Sequence, residues 1–443
     1  MSELNPIGDL KRKSLKISFV KGLFGCCMAG FTQEYFTPFL LFLGAGANHV
    51  GILSAATNFF ASTIQFFSAE MVTKLKSRKR MIGLFVLLQA GILFLIPLLA
   101  LGHGGNYWAF IVLAVLFTSF GAVFIPPWLS FLSDLVDEER RGDYFGWRGR
   151  NLGLVTLGAM LSAGIILHLM EKTDVALGFI IIFVLAGVCR LLSFVFLGGM
   201  YEPPLICREE DSFTFIRFIK RLKESNFAKF VLFVALMNFS VNLAAPFFAV
   251  LMIRDLSFHY MTYTSVIVAA PLMVFLTVHR WGRHADIVGN LKVIRFTAVF
   301  IPFIPVLWIV NRDPLFLILV EMASGFLWAG FNLCALNFIY DAVSPQKRTR
   351  CIAYFNVVNG LALSCGALLG GCIVGHLPPF IGFKILTLFL ISAVLRLCAS
   401  IILPPFLKEV RPVTSIKSSV LFFSLIGMRP ILGLDRRTAR VQS

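Results

Sequence analysis

Charged residues are scarce in this sequence. Of its 443 residues only 14% are charged, whereas a soluble chain has about 25%. Hydrophobic residues make up 58% of the chain, and they stand in long runs without the period of an amphipathic helix or a half-buried strand. Too few charges are present to cover a surface that faces water. The sequence therefore excludes an ordinary soluble protein and predicts an integral membrane protein with several spans.

The sequence also lacks the motifs by which most enzymes and metal proteins are recognised. Its nine cysteines include no C-x-x-C pair, so neither a zinc site nor a disulfide framework is implied. The seven histidines form no H-E-x-x-H motif, and neither a Walker lysine motif nor a Ser/His/Asp grouping at one membrane depth is present. We therefore expect no enzyme, no metal site and no cofactor. Any driving force has to come from an ion gradient or from a solute.

Positive charge is abundant but unevenly placed. The formal charge is +17, from 40 Lys and Arg against 23 Asp and Glu. The basic residues concentrate in the terminal segments and in alternate loops, while the other loops carry only Lys172, Arg254 and Arg312. This bias is the positive-inside rule, which predicts a multi-pass protein of the plasma (inner) membrane with both termini in the cytoplasm. The charge reports topology, and no nucleic acid partner is expected.

Twelve apolar segments are long enough to cross a membrane at about 20 residues per helix. Helices are expected because lipid cannot satisfy free backbone groups, and the runs are too long for barrel strands. No small-residue cleavage site follows the basic N-terminus, so the first span is expected to be retained. The predicted spans are 17–44, 48–72, 81–102, 107–133, 150–170, 175–200, 227–253, 262–281, 291–311, 314–340, 350–375 and 380–407.

The chain repeats itself once, at a distance of about 207 residues. The sequence FTQEYFTPF at 31–39 aligns with FSVNLAAPF at 239–247. Further on, Asp134 aligns with Asp341, and Arg190 with Arg396. Two parallel six-helix halves account for such a repeat. We interpret both arginines as structural groups that snorkel or pair with a helix end.

The repeat divides the chain into four parts. These are an N-terminal half at 1–200, a linker at 201–226, a C-terminal half at 227–408 and a basic tail at 409–443. The linker interleaves apolar residues with Arg and Lys, which predicts an amphipathic basic helix on the cytoplasmic side of the membrane. The role of the tail stays open.

A polar stretch between the eighth and ninth predicted spans has the sequence GRHADIVGNLK at 282–292. Its Gly282, Arg283, Asp286 and Gly289 fit the pattern G-x-x-x-D-x-x-G-x-x-K/R. This pattern resembles the cytoplasmic loop between the second and third helices of each half in the major facilitator superfamily. Together with the repeat, the resemblance covers nearly the whole chain. It implies an all-α membrane protein with twelve transmembrane helices in two parallel six-helix pseudo-repeats.

The resemblance also implies a gate at the cytoplasmic side. In the first half the corresponding loop is EMVTKLKSRKR at 70–80, where Lys74 stands in place of the expected acid. A charge lock is therefore expected in the second-half loop. Asp134 and Asp341 end the fourth and tenth spans beside basic loops, where they either form state-dependent ion pairs or are ordinary solvated charges.

Two carboxylates lie well inside apolar spans, Glu34 in the first and Glu321 in the tenth. They are about nine and about seven residues from the outer ends of their helices, at roughly 13 Å and 10 Å. In the resembled superfamily both helices line the central cavity. Ionisable groups at such depths usually serve function, so each is a candidate to bind a proton, a cation or a polar solute group. The alternative is a structural carboxylate.

Amides and tryptophans on the cavity helices of the resembled fold are further candidates. Amides can bind a solute or join helices, and indoles can form an aromatic wall or pack against neighbours. The residues are Asn238, Asn242, Asn332, Trp128 and Trp328.

The function favoured by these features is secondary transport of a small solute by alternating access, with H⁺ as the expected coupling ion. Aromatic, charge-poor spans favour hydrophobic or amphiphilic compounds, for which export is one direction considered. A uniporter and a non-transporting sensor or scaffold of the same fold remain alternatives. The expected partners are the solute, protons and membrane lipids, and a monomer is expected.

Overall fold

The computed structural model describes residues 6–102, 106–204 and 225–410. In these ranges twelve helical spans are long and apolar enough to cross a membrane, and no β-strand is present. The prediction of an all-helical protein with twelve spans is confirmed. The spans are α1 (Gly8–Phe42), α2 (Ala47–Phe67), α3 (Arg78–Leu101), α4 (Tyr107–Ser133), α5 (Glu138–Met170), α6 (Val175–Gly198), α7 (Asn226–Asp255), α8 (Tyr260–Val288), α9 (Asn290–Val310), α10 (Pro314–Ala342), α11 (Cys351–Val374) and α12 (Lys384–Phe406).

Several helices continue beyond their apolar runs. Span α8 includes most of the polar stretch that the sequence suggested as a loop, and the chain reverses at Gly289. Gly289 has a φ of 89°, a conformation that glycine adopts without a steric penalty. Polar side chains at a helix end can remain solvated while the backbone keeps its hydrogen bonds, so loss of hydrophobicity does not by itself end a helix. The same reason extends α5 to Glu138.

Two helices are interrupted at equivalent places of the repeat. Span α1 is helical over Pro6–Thr32 and again over Phe36–Phe42, while the first helix of α7 ends at Asn242. A proline follows each break, Pro38 in α1 and Pro246 in α7. Proline has no backbone N–H, so the carbonyl four residues earlier loses its helical partner. The repeated proline explains why both helices open at this point.

The described residues pack as two compact units. Unit 1 comprises those within 1–209, 242–268 and 360–388, and unit 2 those within 210–241, 269–359 and 389–443. The units differ from the two halves of the sequence repeat, because unit 1 adds parts of α7, α8, α11 and α12 to the first six spans.

Close approach of helix backbones holds those added parts to unit 1. A Cβ atom on Gly51 of α2 would lie 2.6 Å from the Cα of Gly371 in α11. Gly164 of α5 lies against the side chain of Thr264 in α8. Small residues permit such close contacts, which drive helix association in lipid. These contacts hold α11 against α2 and α8 against α5.

Unit 2 is packed by aromatic side chains. Phe230 of α7 packs against Phe338 of α10, with ring centroids 4.4 Å apart and the rings tilted by 34°. Trp281 of α8 is buried beneath Gly330 and donates a 2.8 Å hydrogen bond from Nε1 to the carbonyl oxygen of Phe326. Such contacts hold α7 and α8 against α10. The predicted linker helix and the tail lie outside the described residues, apart from 201–204, 225–226 and 409–410.

Candidate functional site

Unit 1 contains a cavity of about 780 Å³, within the roughly 300–1,000 Å³ usual for small-molecule sites. Apolar side chains from α1, α2 and α4 form much of its wall. Its polar and charged lining residues come from α1–α4, α6 and α7. They are Thr32, Gln33, Glu34, Thr37, Ser54, Thr57, Gln65, Gln89, Thr118, Arg190 and Asn242. We call this space the unit-1 cavity.

Glu34 lies in the opened turn of α1, with its side chain exposed to the unit-1 cavity. Its backbone carbonyl oxygen accepts a 2.7 Å hydrogen bond from the Tyr263 hydroxyl. This bond replaces the helical one that Pro38 cannot donate. Among the described residues, no side chain forms a hydrogen bond or ion pair with the Glu34 carboxylate. The fold thus supports the backbone at this turn and leaves the acid open to the cavity.

A second tyrosine holds the same turn in place. Tyr35 is fully buried, and its hydroxyl donates to the carbonyl oxygen of Met160 at 2.6 Å. The same hydroxyl lies 2.9 Å from Oγ1 of Thr264. The opened turn of α1 is therefore tied to α5 and α8.

Arg190 also lines the unit-1 cavity, although its position in the repeat suggested a structural role. It is 4% exposed and donates from Nη2 to the side-chain oxygen of Gln89. Gln89 in turn donates a 2.6 Å hydrogen bond to the carbonyl oxygen of Phe117. The guanidinium carbon lies 5.0 Å from the centre of the Phe124 ring. Nη1 and Nε of Arg190 have no hydrogen-bond partner among the described residues.

Gln89 was not singled out from the sequence. A sequence feature could have identified Gln89, since it is a polar amide within the apolar run of the third span. Its partner Arg190 comes from a span far along the chain, and such a pairing leaves no local pattern.

The repeat partner of Arg190 has different contacts. Arg396 in unit 2 donates to Ser392 Oγ at 3.0 Å and to the carbonyl oxygen of Val241 at 3.4 Å. Ser392 donates at 2.6 Å to the carbonyl oxygen of Ser240. These bonds satisfy backbone groups next to the break in α7, which supports the structural interpretation of Arg396.

Asn242 lines the unit-1 cavity, and its amide donates a 2.8 Å hydrogen bond to the carbonyl oxygen of Leu363. Asn238 lies in unit 2, where its amide donates to the Asn359 side-chain oxygen at 2.9 Å. Both amides therefore join helices. Asn242 also borders the space that holds Glu34.

The other intramembrane carboxylate and the two remaining candidates on α10 lie in unit 2. Glu321 is half-buried and accepts a 3.1 Å hydrogen bond from Trp308 Nε1. Asn332 is exposed, and Trp328 packs against Phe331 at 5.3 Å between ring centroids. The structure therefore does not bring these three residues to the unit-1 cavity.

Trp128 lies in unit 1 but outside the lining of the unit-1 cavity. It is half-buried and packs on Phe131, with ring centroids 6.0 Å apart. The ammonium nitrogen of Lys21 lies over its indole at 3.4 Å from the ring centre.

Two of the predicted gating acids, Asp134 and Asp341, each contact the preceding helix in the chain. Asp134 forms a 2.6 Å ion pair with the buried Arg78 at the start of α3. Asp341 accepts a 2.8 Å hydrogen bond from Asn290 at the start of α9. The two contacts are equivalent in the repeat, because one joins α3 to the end of α4 and the other joins α9 to the end of α10.

Within the polar stretch at 282–292, Arg283 and Asp286 are exposed. Gly282 is helical, and Gly289 makes the reversal. In the first-half loop, Lys74 pairs with Glu70 at 2.8 Å, and this hydrogen bond lowers the pKa of the Glu70 carboxyl. The pair is fully solvated, so little stability is expected from it.

No group of three or more His, Cys, Asp and Glu residues in the described ranges is arranged to hold a metal ion. The candidate site is the unit-1 cavity, with one free carboxylate, that of Glu34, and one partly satisfied guanidinium, that of Arg190.

Comparison with known proteins gives a family and a fold. The profile of the Major Facilitator Superfamily matches residues 22–309. The crystal structure of the nucleoside transporter NupG (D323A mutant) has a TM-score of 0.71 at 15% identity and covers 90% of this chain and 100% of that one. A bacterial homologue of the human lysosomal transporter Spinster, solved inward-facing and unoccupied, has a TM-score of 0.59 at 13% identity and covers 89% of this chain and 95% of that one. No curated protein sequence matches.

Proposed function

Because the chain belongs to the Major Facilitator Superfamily and is a membrane transporter, we propose that it moves a small solute by alternating access and couples this movement to a proton at Glu34. The unit-1 cavity is the proposed solute site.

The observation that carries the proposal is the state of the Glu34 carboxylate. An ionisable group inside a span is costly, and such groups usually have a partner or face a cavity. Glu321 has a hydrogen-bond donor in Trp308. Among the described residues, a side chain donates only to the backbone carbonyl oxygen of Glu34 and none to its carboxylate. A carboxylate that faces a cavity without a fixed partner can exchange a proton as the surroundings change.

Close contacts of α8 and α11 with α5 and α2 support alternating access. Gly51 lies against Gly371 and Gly164 against Thr264, and these helix surfaces would have to separate in a conformational change that opens unit 1 between them. Glu34 adjoins these contacts, since Tyr263 and Tyr35 connect its turn to α8 and α5. Opening would therefore change the surroundings of Glu34, which is what coupling requires.

The cavity also favours a class of solute. Its wall combines apolar side chains such as Phe36, Phe117 and Phe124 with few charges. A hydrophobic or amphiphilic compound with one polar group fits this composition. We further propose, from the charge bias of the loops, that both termini face the cytoplasm of the plasma (inner) membrane, and that the working unit is a monomer.

The proposal is tested by thermal stabilisation of the purified protein across a solute library, at mildly acidic and at mildly alkaline pH. We expect at least one solute whose stabilising effect depends on pH in the wild-type protein and no longer does so in Glu34→Gln. Glu321→Gln is the matched control, because it removes the other intramembrane carboxylate and should keep the pH dependence. If every stabilising solute acts independently of pH in the wild-type protein, proton coupling is contradicted and a uniporter is favoured.

A further inference from the structure

A lysine is buried in the middle of unit 1. Lys21 lies thirteen positions before Glu34 on α1, at roughly 20 Å along the helix axis, and is only 5% exposed. Its ammonium nitrogen lies 3.4 Å from the centre of the Trp128 ring. Among the described residues, no carboxylate pairs with it and no side chain accepts a hydrogen bond from it.

Arg148 of α5 approaches the same indole. Its guanidinium carbon lies 5.7 Å from the centre of the Trp128 ring, and Nη2 donates to the carbonyl oxygen of Ser18 at 3.3 Å. A Cβ atom on residue 22 would lie 2.7 Å from Nη2, so Gly22 is what lets the guanidinium reach the backbone of α1. The Nε of Arg148 is buried and has no partner in the described ranges.

The charges around this indole do not balance. The charged neighbours of Lys21 are Arg190 and Arg148, both of the same sign. A cation–π contact contributes about 0.5–2 kcal/mol, whereas removing a charge from water costs several kcal/mol even after relaxation. Trp128 therefore does not compensate the burial of Lys21, and no carboxylate of the described residues pairs with Lys21 or Arg148.

We propose that Lys21 and Arg148 bind an anionic group, a carboxylate or a phosphate, of the transported solute beside Trp128. This subsite lies outside the lining of the unit-1 cavity but next to it, because Arg190 lines the cavity and its Nη1 would lie 3.9 Å from a Cβ on Gly25, one helical turn after Lys21. The solute is then an organic anion. A guanidinium offers a planar pair of donors that matches either group, and an ammonium adds a compact charge. The indole supplies apolar area for the adjoining part of the solute. This inference rests on the proposed transport function and names the class of its substrate.

The experiment measures equilibrium binding to the purified full-length protein by tryptophan fluorescence and thermal unfolding. The probes are benzoate and phenyl phosphate, with benzamide and benzylamine as neutral and cationic counterparts of similar shape. We expect one of the anions to bind saturably and the counterparts to bind more weakly. Preference for benzoate or for phenyl phosphate then distinguishes a carboxylate from a phosphate.

Two variants at one position isolate the charge. Lys21→Gln is expected to weaken anion binding by about tenfold or more, about 1.4 kcal/mol, because it removes the ammonium group. Lys21→Arg keeps the charge and is expected to stay within about threefold of the wild type, since a guanidinium also binds carboxylate and phosphate. Trp128→Phe should remove the fluorescence change while thermal stabilisation by the anion remains.

Three outcomes would overturn the inference: benzamide binding as tightly as benzoate, neither anion binding to the wild type, or unchanged anion binding in Lys21→Gln. The first would mean that Lys21 is neutral in the folded protein. Because binding is measured without a membrane gradient, it does not depend on proton coupling. Anion binding without any solute flux in liposomes would instead contradict the proposed transport function.

Discussion

Glu34 and Glu321 show how two acids with the same sequence pattern acquire different surroundings. Each is a single carboxylate within an apolar run. Glu34 falls in a turn that Pro38 opens, so its helix no longer shields it and its side chain borders the unit-1 cavity. Glu321 lies in an unbroken helix and accepts a hydrogen bond from Trp308. The proline, four residues away, makes the difference.

The contact between the Arg190 and Gln89 side chains gives a prediction for single residues. Gln89→Leu removes the side-chain oxygen that accepts a hydrogen bond from the buried guanidinium, and a hydrogen bond to a charged group contributes about 1.5–3 kcal/mol. We expect a lower melting temperature, measured by thermal unfolding in detergent. The double variant Arg190→Met, Gln89→Leu should lose less stability than the two single variants lose together, because it no longer contains an unpaired buried charge. Strict additivity would show that the two side chains do not interact.

The sequence could identify Glu34 as a candidate but not how its neighbours are arranged. Arg190 and Arg396 occupy equivalent positions of the repeat and were interpreted alike. The structure gives Arg190 a glutamine and a cavity, and gives Arg396 the backbone of α7. Such partners lie a hundred or more residues away in the chain, so no local spacing encodes them.

At the scale of the helix, the sequence repeat indicates where helices are interrupted, which composition alone does not. Its aligned prolines, Pro38 and Pro246, mark the places where α1 and α7 open. Helix ends were harder to predict. The polar residues at 282–288 continue α8, because hydropathy reports where lipid ends rather than where backbone hydrogen bonds stop.

Two glycines of α5 give a prediction with an internal control. A methyl group on Gly164 would overlap Thr264, whereas nothing lies within 4 Å of the position of a methyl group on Gly158. We expect Gly164→Ala to lower the melting temperature, since overpacking costs about 1–3 kcal/mol. It should also slow transport, because α5 and α8 can no longer come together as closely at this contact. Gly158→Ala should be neutral or slightly stabilising, since alanine favours a helix over glycine by about 1 kcal/mol.

A second substitution separates steric overlap from other causes. Thr264→Ala removes Oγ1 and Cγ2, two of the three atoms that a methyl group at residue 164 would overlap, and keeps Cβ, so it should restore part of the stability lost in Gly164→Ala. Equal losses in Gly164→Ala and Gly158→Ala would contradict the proposed packing, as would a failure of Thr264→Ala to restore any stability.

At the scale of the whole molecule, the number and type of spans were predictable. Lipid requires long apolar helices, so each of the twelve leaves a clear run in the sequence. The grouping into units 1 and 2 was not predictable. It depends on pairs such as Gly51 with Gly371, whose closeness follows from shape, and single glycines occur at many other positions in the chain.

The central claim, that Glu34 couples solute movement to a proton, is tested most directly in liposomes that contain a pH-sensitive dye. The substrate is a solute that the thermal screen has identified, and it is applied as a gradient. We expect it to drive proton movement with the wild type and Glu321→Gln. Glu34→Gln should exchange solute across the membrane without moving protons, and the sign of the proton movement in the wild type would distinguish export from import. Solute-driven proton movement that persists in Glu34→Gln would contradict the account.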